Sequence, residues 1–142
     1  MLKGIDVSTY QGTINWSAVK ADGIDFAIVK ATQGRAVSSN SYLFTDRQFA
    51  ANVTGAHDVG LKVGVYHYLT AKTVKEAQTE AAHFCDTIAA YKPRIELWAA
   101  VDVEDTHRQL YREAAPPQRG IVQLGNRRRF AWRKRRFAEA RH

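Results

Sequence analysis

The order of apolar runs along the first 105 residues constrains the fold of this chain more than any other feature. Short runs rich in Val, Ile and Tyr predict strands at residues 4–7, 26–29, 61–68 and 97–104. Segments with helical spacing of apolar residues lie between them. Such alternation predicts an α/β fold with a parallel sheet and right-handed crossovers. Periodicity alone leaves open a β/α barrel and an open doubly wound sheet, although no glycine-rich phosphate loop follows the first strand.

The helices of this pattern are predicted from their first residues. Asn15 is a suitable N-cap for a helix over residues 16–21, and residues 31–42, rich in Ser, read as a loop. Thr45 and Thr73 each begin a capping box, because Gln48 and Glu76 follow three residues later. The apolar face predicted for the third helix consists of Ala77, Ala81, Phe84 and Ile88.

Charge divides the chain near Asp105. The formal net charge is +7 overall, but residues 1–105 carry −2 and residues 106–142 carry +9. We therefore predict two segments, a domain over 1–105 and an Arg-rich tail over 106–142. Three interpretations of the tail stay open: a truncated or frame-shifted product, a segment that binds anionic wall polymers or lipid headgroups, and nucleic-acid binding. The last is the weakest, since arginines interleaved with aromatic residues are an unspecific pattern.

Composition also limits the location of the protein. No apolar run is long enough to cross a bilayer, and the N-terminus lacks the pattern of a signal peptide. We expect a protein that is cytoplasmic until released, or that is exported by another route. The single cysteine, Cys85, excludes an internal disulfide and is expected to be a small buried residue in a helix.

Carboxylates cluster where the predicted strands end. Asp102 and Glu104 are two residues apart and so share one face of the fourth strand, and Asp6 lies near the end of the first. Parallel α/β folds place active sites at this edge. A set of carboxyls could supply one protonated general acid and one ionised partner, as glycoside hydrolysis requires. A solvated strand end and a metal site are the alternatives, but no histidine is patterned with these acids, so no metal or cofactor is expected.

Five segments occur in order along the chain and read KGIDVSTYQGTINW, GIDFAIVKATQG, GLKVGVYHYL, EAQTEAAHFC and AAVDVED. Read together, they resemble glycoside hydrolase family 25, the lysozymes of the N-acetylmuramidase type. The resemblance covers residues 3–105 and implies a barrel related to the TIM fold. It implies cleavage of the β-1,4 bond between N-acetylmuramic acid and N-acetylglucosamine in peptidoglycan. It also implies that Glu104 is the general acid, with Asp6 and Asp102 beside it; it leaves open whether the second step uses an enzyme carboxylate or the N-acetyl group of the substrate.

Weaker matches concern substrate binding. By resemblance, Tyr66 and His67 line the sugar cleft, and Gln11 and Lys30 lie near strand ends, where they either contact substrate or pair with a carboxylate. Gln33 stands where the family commonly has a glutamate.

The resemblance stops at Asp105, which predicts an incomplete barrel of about four βα units. The expected function is peptidoglycan hydrolysis, impaired if the far wall of the barrel is missing. The alternative is a non-catalytic remnant that binds the cell wall or polyanions through the basic tail.

Overall fold

The computed structural model describes residues 1–34 and 43–103 of the chain. Its parallel strands alternate with helices, as the apolar pattern predicts. Short 3-10 turns follow the first strand at Thr9–Gln11 and precede the last at Lys92–Arg94. In chain order the elements are β1 (Gly4–Val7), α1 (Trp16–Ala21), β2 (Phe26–Gln33), β3 (Phe44–Thr45), α2 (Phe49–Asp58), β4 (Lys62–Tyr68), α3 (Val74–Ala89) and β5 (Ala99–Asp102).

The order of the strands favours a barrel over a doubly wound sheet. Strands β1, β2, β4 and β5 lie side by side in that order and pair in parallel, while the two-residue β3 is antiparallel to the end of β2. A doubly wound sheet reverses its strand order at a switch point. The described sheet has no such reversal, so its topology is that of consecutive βα units in a barrel-type fold, which confirms the predicted α/β class.

One face of the sheet packs against the helices and forms the core. Alternate residues of the two central strands point to this side, among them Ala27, Val29, Val63 and Val65, and all four are fully buried. The helices contribute Trp16, Phe49, Val53, Ala56 and Phe84 to the same cluster. Burying a Val or Phe side chain contributes about 1.5–3 kcal/mol, so this layer is a large stabilising contribution in the described region.

The opposite face corresponds to the interior of a barrel. Its character changes along the strands, from apolar at their N-terminal ends to polar at their C-terminal ends. At the N-terminal ends of the strands it is apolar, because the Phe26 ring lies over Gly4 and Ile28 lies over Gly64. A Cβ atom at Gly64 would be 2.7 Å from Cδ1 of Ile28, so these glycines make room for the larger side chains. Toward the C-terminal ends the same face becomes polar, and the candidate site lies there.

Several predicted boundaries differ from the structure. Strand β2 continues past Lys30 to Gln33, where a loop was expected from Ala31 onward, because a bulge between Lys30 and Thr32 lets the strand keep pairing with β4. The capping box at Thr45 is wrong, since Thr45 belongs to β3 and Gln48 precedes α2 without a side-chain cap. The caps at Asn15 and Thr73 are confirmed.

Helix α3 buries most of the predicted face together with a charged residue. Phe84 is buried and Ile88 packs against the core as predicted, but Glu80 is buried on the same side and Ala81 is exposed. Cys85 is exposed as well, contrary to expectation. None of the helices in the described parts of the chain has the length and apolar character that a membrane span requires.

Candidate active site

Two of the three predicted acids lie at the same edge of the sheet. Asp6 is the penultimate residue of β1, and Asp102 is the last residue of β5. Register places both on the barrel-interior face, because Asp6 pairs with Ile28 while Asp102 pairs with Tyr68, and both partners point away from the helices. Glu104 lies outside the described residues.

Strands β2 and β4 separate the two aspartates, and the stagger of a barrel affects their relative height. Pairing runs from Asp6 through Ile28 to Gly64, and Asp102 pairs with Tyr68, four residues further along β4. In an eight-stranded barrel of shear 8, register shifts by about one residue per strand. Three strand steps of such a barrel correspond to about three residues, which is close to the four-residue difference along β4.

A lysine and two aromatic residues occupy the interior face between the aspartates. Lys30 donates a hydrogen bond from Nζ to Oε1 of Gln33 at 2.6 Å, and its ammonium lies 5.2 Å from the centre of the Tyr68 ring. Tyr66 pairs with Lys30 across β2 and β4 and is half-buried on the same face. The predicted residues Lys30 and Tyr66 thus lie in the polar half of the interior face.

Gln11 has a structural task in the turn that follows β1. Its Oε1 accepts the backbone N–H of Ser8 at 2.8 Å, and the Ser8 hydroxyl accepts the backbone N–H of Tyr10 at 3.2 Å. Oδ2 of Asp46 also accepts the N–H of Thr9 at 2.9 Å. These bonds fix the turn next to Asp6, so Gln11 shapes the rim of the site through its amide oxygen.

His67 does not line the cleft in this structure. It shares the helix-facing side of β4 with Val63 and Val65, and it is only 2 % exposed. Its Nδ1 lies 2.7 Å from the hydroxyl of Thr32, and its Nε2 lies 2.7 Å from Oε2 of Glu80. Because both ring nitrogens bond to buried groups, the ring braces the sheet from behind, and the predicted sugar contact is replaced by this role.

The partner of His67, Glu80, is the residue that sequence reasoning missed. Its carboxylate is completely buried and also accepts hydrogen bonds from the backbone N–H and the hydroxyl of Thr70. A signal existed in the sequence: Glu80 lies three residues after Ala77 and four before Phe84, on the face assigned to the core. A charged residue at such a position needs buried partners.

The protonation of this network follows from its donors and from burial. Burial lowers the pKa of His67 below its ordinary value of 6.5, and the hydrogen bond to Glu80 offsets this only in part. A neutral ring fits the geometry, because Nε2–H can donate to the carboxylate while Nδ1 accepts from the Thr32 hydroxyl.

Comparison with known proteins gives the family of this chain. The model of the family described as Glycosyl hydrolases family 25 matches residues 5–129. The chain belongs to glycosyl hydrolase family 25. Its relatives include the "Autolytic lysozyme" of Clostridium acetobutylicum, 36 % identical over 105 residues, and "Lysozyme M1" of Streptomyces globisporus, 46 % identical over 67 residues. A family 25 glycosyl hydrolase from Bacillus anthracis superimposes with a TM-score of 0.61 at 31 % identity.

The chain matches only part of each family 25 relative. It is covered to 74 % by the Clostridium match and to 47 % by the Streptomyces match, which span 29 % and 20 % of those proteins. The Bacillus structure matches 82 % of this chain and 48 % of its own length. The family match also extends past Asp105 to residue 129, into the segment predicted as a basic tail.

Proposed function

We propose that this family 25 chain hydrolyses peptidoglycan, at the β-1,4 bond between N-acetylmuramic acid and N-acetylglucosamine. The observation that carries the proposal is the placement of Asp6 and Asp102 on one face, at the C-terminal edge of a barrel-type parallel sheet. Catalytic groups of β/α barrels lie at this edge. The names of the Clostridium and Streptomyces relatives, both lysozymes, support the same reaction.

The chemistry requires acids with different protonation states. Glu104 is the proposed general acid, which delivers a proton to the leaving glycosidic oxygen. Asp102 and Asp6 are proposed to remain ionised and to stabilise the positive charge that develops on the sugar ring. Mutual repulsion among neighbouring carboxylates raises the affinity of one of them for a proton, which favours this division of roles.

The interior face offers groups that suit a glycan. The ring of Tyr66 can pack against a pyranose, and the ammonium of Lys30 can donate hydrogen bonds to sugar oxygens. Lys30 also lies on β2, between the two strands that carry the aspartates. Gln11 is proposed to act on substrate only indirectly, by shaping the turn after β1.

The decisive experiment replaces the general acid. Glu104→Gln is expected to lower kcat on purified peptidoglycan by about 10²- to 10⁴-fold, the usual contribution of a general acid, measured as release of reducing ends. The matched control is Glu96→Gln, the same change on an exposed residue three positions before the N-terminal end of β5, which should retain activity. Equal hydrolysis by the wild type and Glu104→Gln would show that Glu104 is not the acid.

The rival function is binding of the cell wall or another polyanion through the basic segment, without catalysis. It predicts no reducing ends from the wild type, and wall binding that survives Glu104→Gln but is lost on deletion of residues 127–142. Those residues lie outside the described structure, and the basis for this alternative is their charge.

A further inference from the structure

Glu80 carries a charge into the interior on the side of the sheet opposite to the aspartates. Its side chain is fully buried, and burial of an unpaired carboxylate is strongly unfavourable. Within the described residues its donors include Nε2 of His67 at 2.7 Å, the Thr70 backbone N–H at 3.1 Å and the Thr70 hydroxyl at 3.0 Å. An apolar side chain of similar size would fill the same space. What the carboxylate adds is therefore its hydrogen bonds to particular partners.

One of those directions leads to Asp102. Thr70 directly follows Leu69, whose N–H donates a hydrogen bond to the carbonyl oxygen of Asp102 at 3.0 Å. The preceding residue, Tyr68, pairs with Asp102 in the parallel ladder. Glu80 therefore holds the backbone one residue away from the hydrogen bond between Leu69 and the aspartate.

The other bonds of Glu80 fix the neighbouring strand. Its partner His67 bonds to the hydroxyl of Thr32 near the end of β2. The backbone of Gly34 packs so closely on Glu80 and Thr70 that a Cβ atom at Gly34 would overlap both side chains. One carboxylate thus connects α3 to the C-terminal ends of β2 and β4, the two strands that separate Asp6 from Asp102.

We propose that Glu80 is a positioning residue for catalysis, which holds Asp102 in place through Thr70 and Leu69. The proposal rests on the proposed hydrolase function, because positioning matters only if Asp102 acts in catalysis. It assigns no contact between Glu80 and substrate. Small displacements of catalytic groups cost large factors in rate, so loosening this end of β4 lowers kcat while substrate affinity changes little.

Hydrogen exchange tests the structural half without any activity. In Glu80→Met, which fills the same space without a strong acceptor, we expect the Leu69 amide to exchange at least about tenfold faster. The internal control is the Val65 amide, which donates to the Trp98 carbonyl at the far end of the same strand pair and should be unchanged. Glu80→Gln should retain most protection, because its amide oxygen can accept from His67 and Thr70 while the Thr70 hydroxyl reverses its bond. Equal acceleration at both amides, or none at Leu69, would overturn the proposal.

Kinetics test the catalytic half. Glu80→Met is expected to lower kcat at least about tenfold with KM nearly unchanged, and Glu80→Gln should restore most of the rate. The matched control is Phe84→Leu, one turn further along α3, whose ring is 5.7 Å from that of His67. It should lower the melting temperature without altering kcat or the Leu69 amide.

Hydrogen exchange and kinetics together distinguish a failure of the proposed hydrolase function from a failure of the positioning role. If the wild type does not hydrolyse peptidoglycan but Leu69 alone loses protection, the hydrolase function fails and the structural link stands. If the wild type is active and Leu69 loses protection without any fall in kcat, the positioning role is wrong.

If Glu80→Met does not fold, Glu80→Asp replaces it. The aspartate side chain is one methylene shorter and cannot bond to His67 and Thr70 at the same time. Wild-type protection of the Leu69 amide in Glu80→Asp would overturn the proposal.

Discussion

At the scale of single residues, the alternation of β4 decides which side chains reach the site. Tyr66 and Tyr68 share the interior face with Gly64, while His67 shares the helix side with Val63 and Val65. Neighbouring residues of a strand cannot both face one cleft. The prediction that paired Tyr66 with His67 came from the family resemblance, and the strand period alone would have separated them.

The buried His67 makes stability depend on pH. Its pKa is lowered in the folded protein, so below about pH 6.5 the unfolded chain binds more protons at this residue than the folded chain. The contribution is therefore complete above that pH and is lost as the pH falls. We expect the free energy of unfolding in urea to decrease between about pH 7.5 and pH 5.5. His67→Gln should flatten this dependence, and a slope unchanged from the wild type would contradict the assignment; His57→Gln, at a half-buried position of α2, is the matched control.

At the scale of elements, the sequence predicted the start of a helix correctly where the N-cap residue bonds only within its own helix. Asn15 accepts the N–H of Ala18 and begins α1 at the predicted residue. The capping box predicted at Thr45 was wrong because the Thr45 backbone pairs with Thr32, thirteen residues earlier, and so belongs to β3. The continuation of β2 past Lys30 was missed for a similar reason, since pairing with β4 holds those residues extended despite their polar composition.

Asp46, not Thr45, is the residue that stabilises the start of α2. Its Oδ1 accepts the N–H of Gln48 at 2.9 Å, its Oδ2 accepts the N–H of Thr9, and it is only 3 % exposed. Asp46→Ala removes two charge-assisted hydrogen bonds and leaves two N–H groups without their acceptor, so we expect a loss of roughly 2–4 kcal/mol in thermal or urea unfolding. Thr45→Ala, on the adjacent exposed residue, should cost less than about 1 kcal/mol. Similar losses in the two variants would restore Thr45 as the cap.

At the scale of the whole molecule, the division of charge follows the division of the sequence. The segment that contains Asp6 and Asp102 is mildly acidic, and residues 106–142 carry the whole of the basic excess. The strand pattern could predict the first segment because buried, alternating residues leave a strong signal. Residues 106–142 offer little apolar periodicity, so only their charge supports a prediction.

That charge predicts binding to anionic polymers that can be separated from hydrolysis. Neutralising Arg133, Lys134, Arg135 and Arg136 to Gln, all beyond the family match that ends at residue 129, should weaken binding to purified cell wall. The matched control neutralises Lys3, Lys62, Lys72 and Lys92, four exposed lysines of the described region, and removes the same charge. Because long-range attraction is screened by salt, wild-type binding should fall steeply between about 50 and 300 mM NaCl, and the Arg133–Arg136 variant should show a smaller dependence.

Hydrolysis of a soluble, uncharged glycan should be the same in both variants, since no reacting group is changed. Equal binding by the two variants would show that overall charge, and not this basic segment, attracts the protein to the wall.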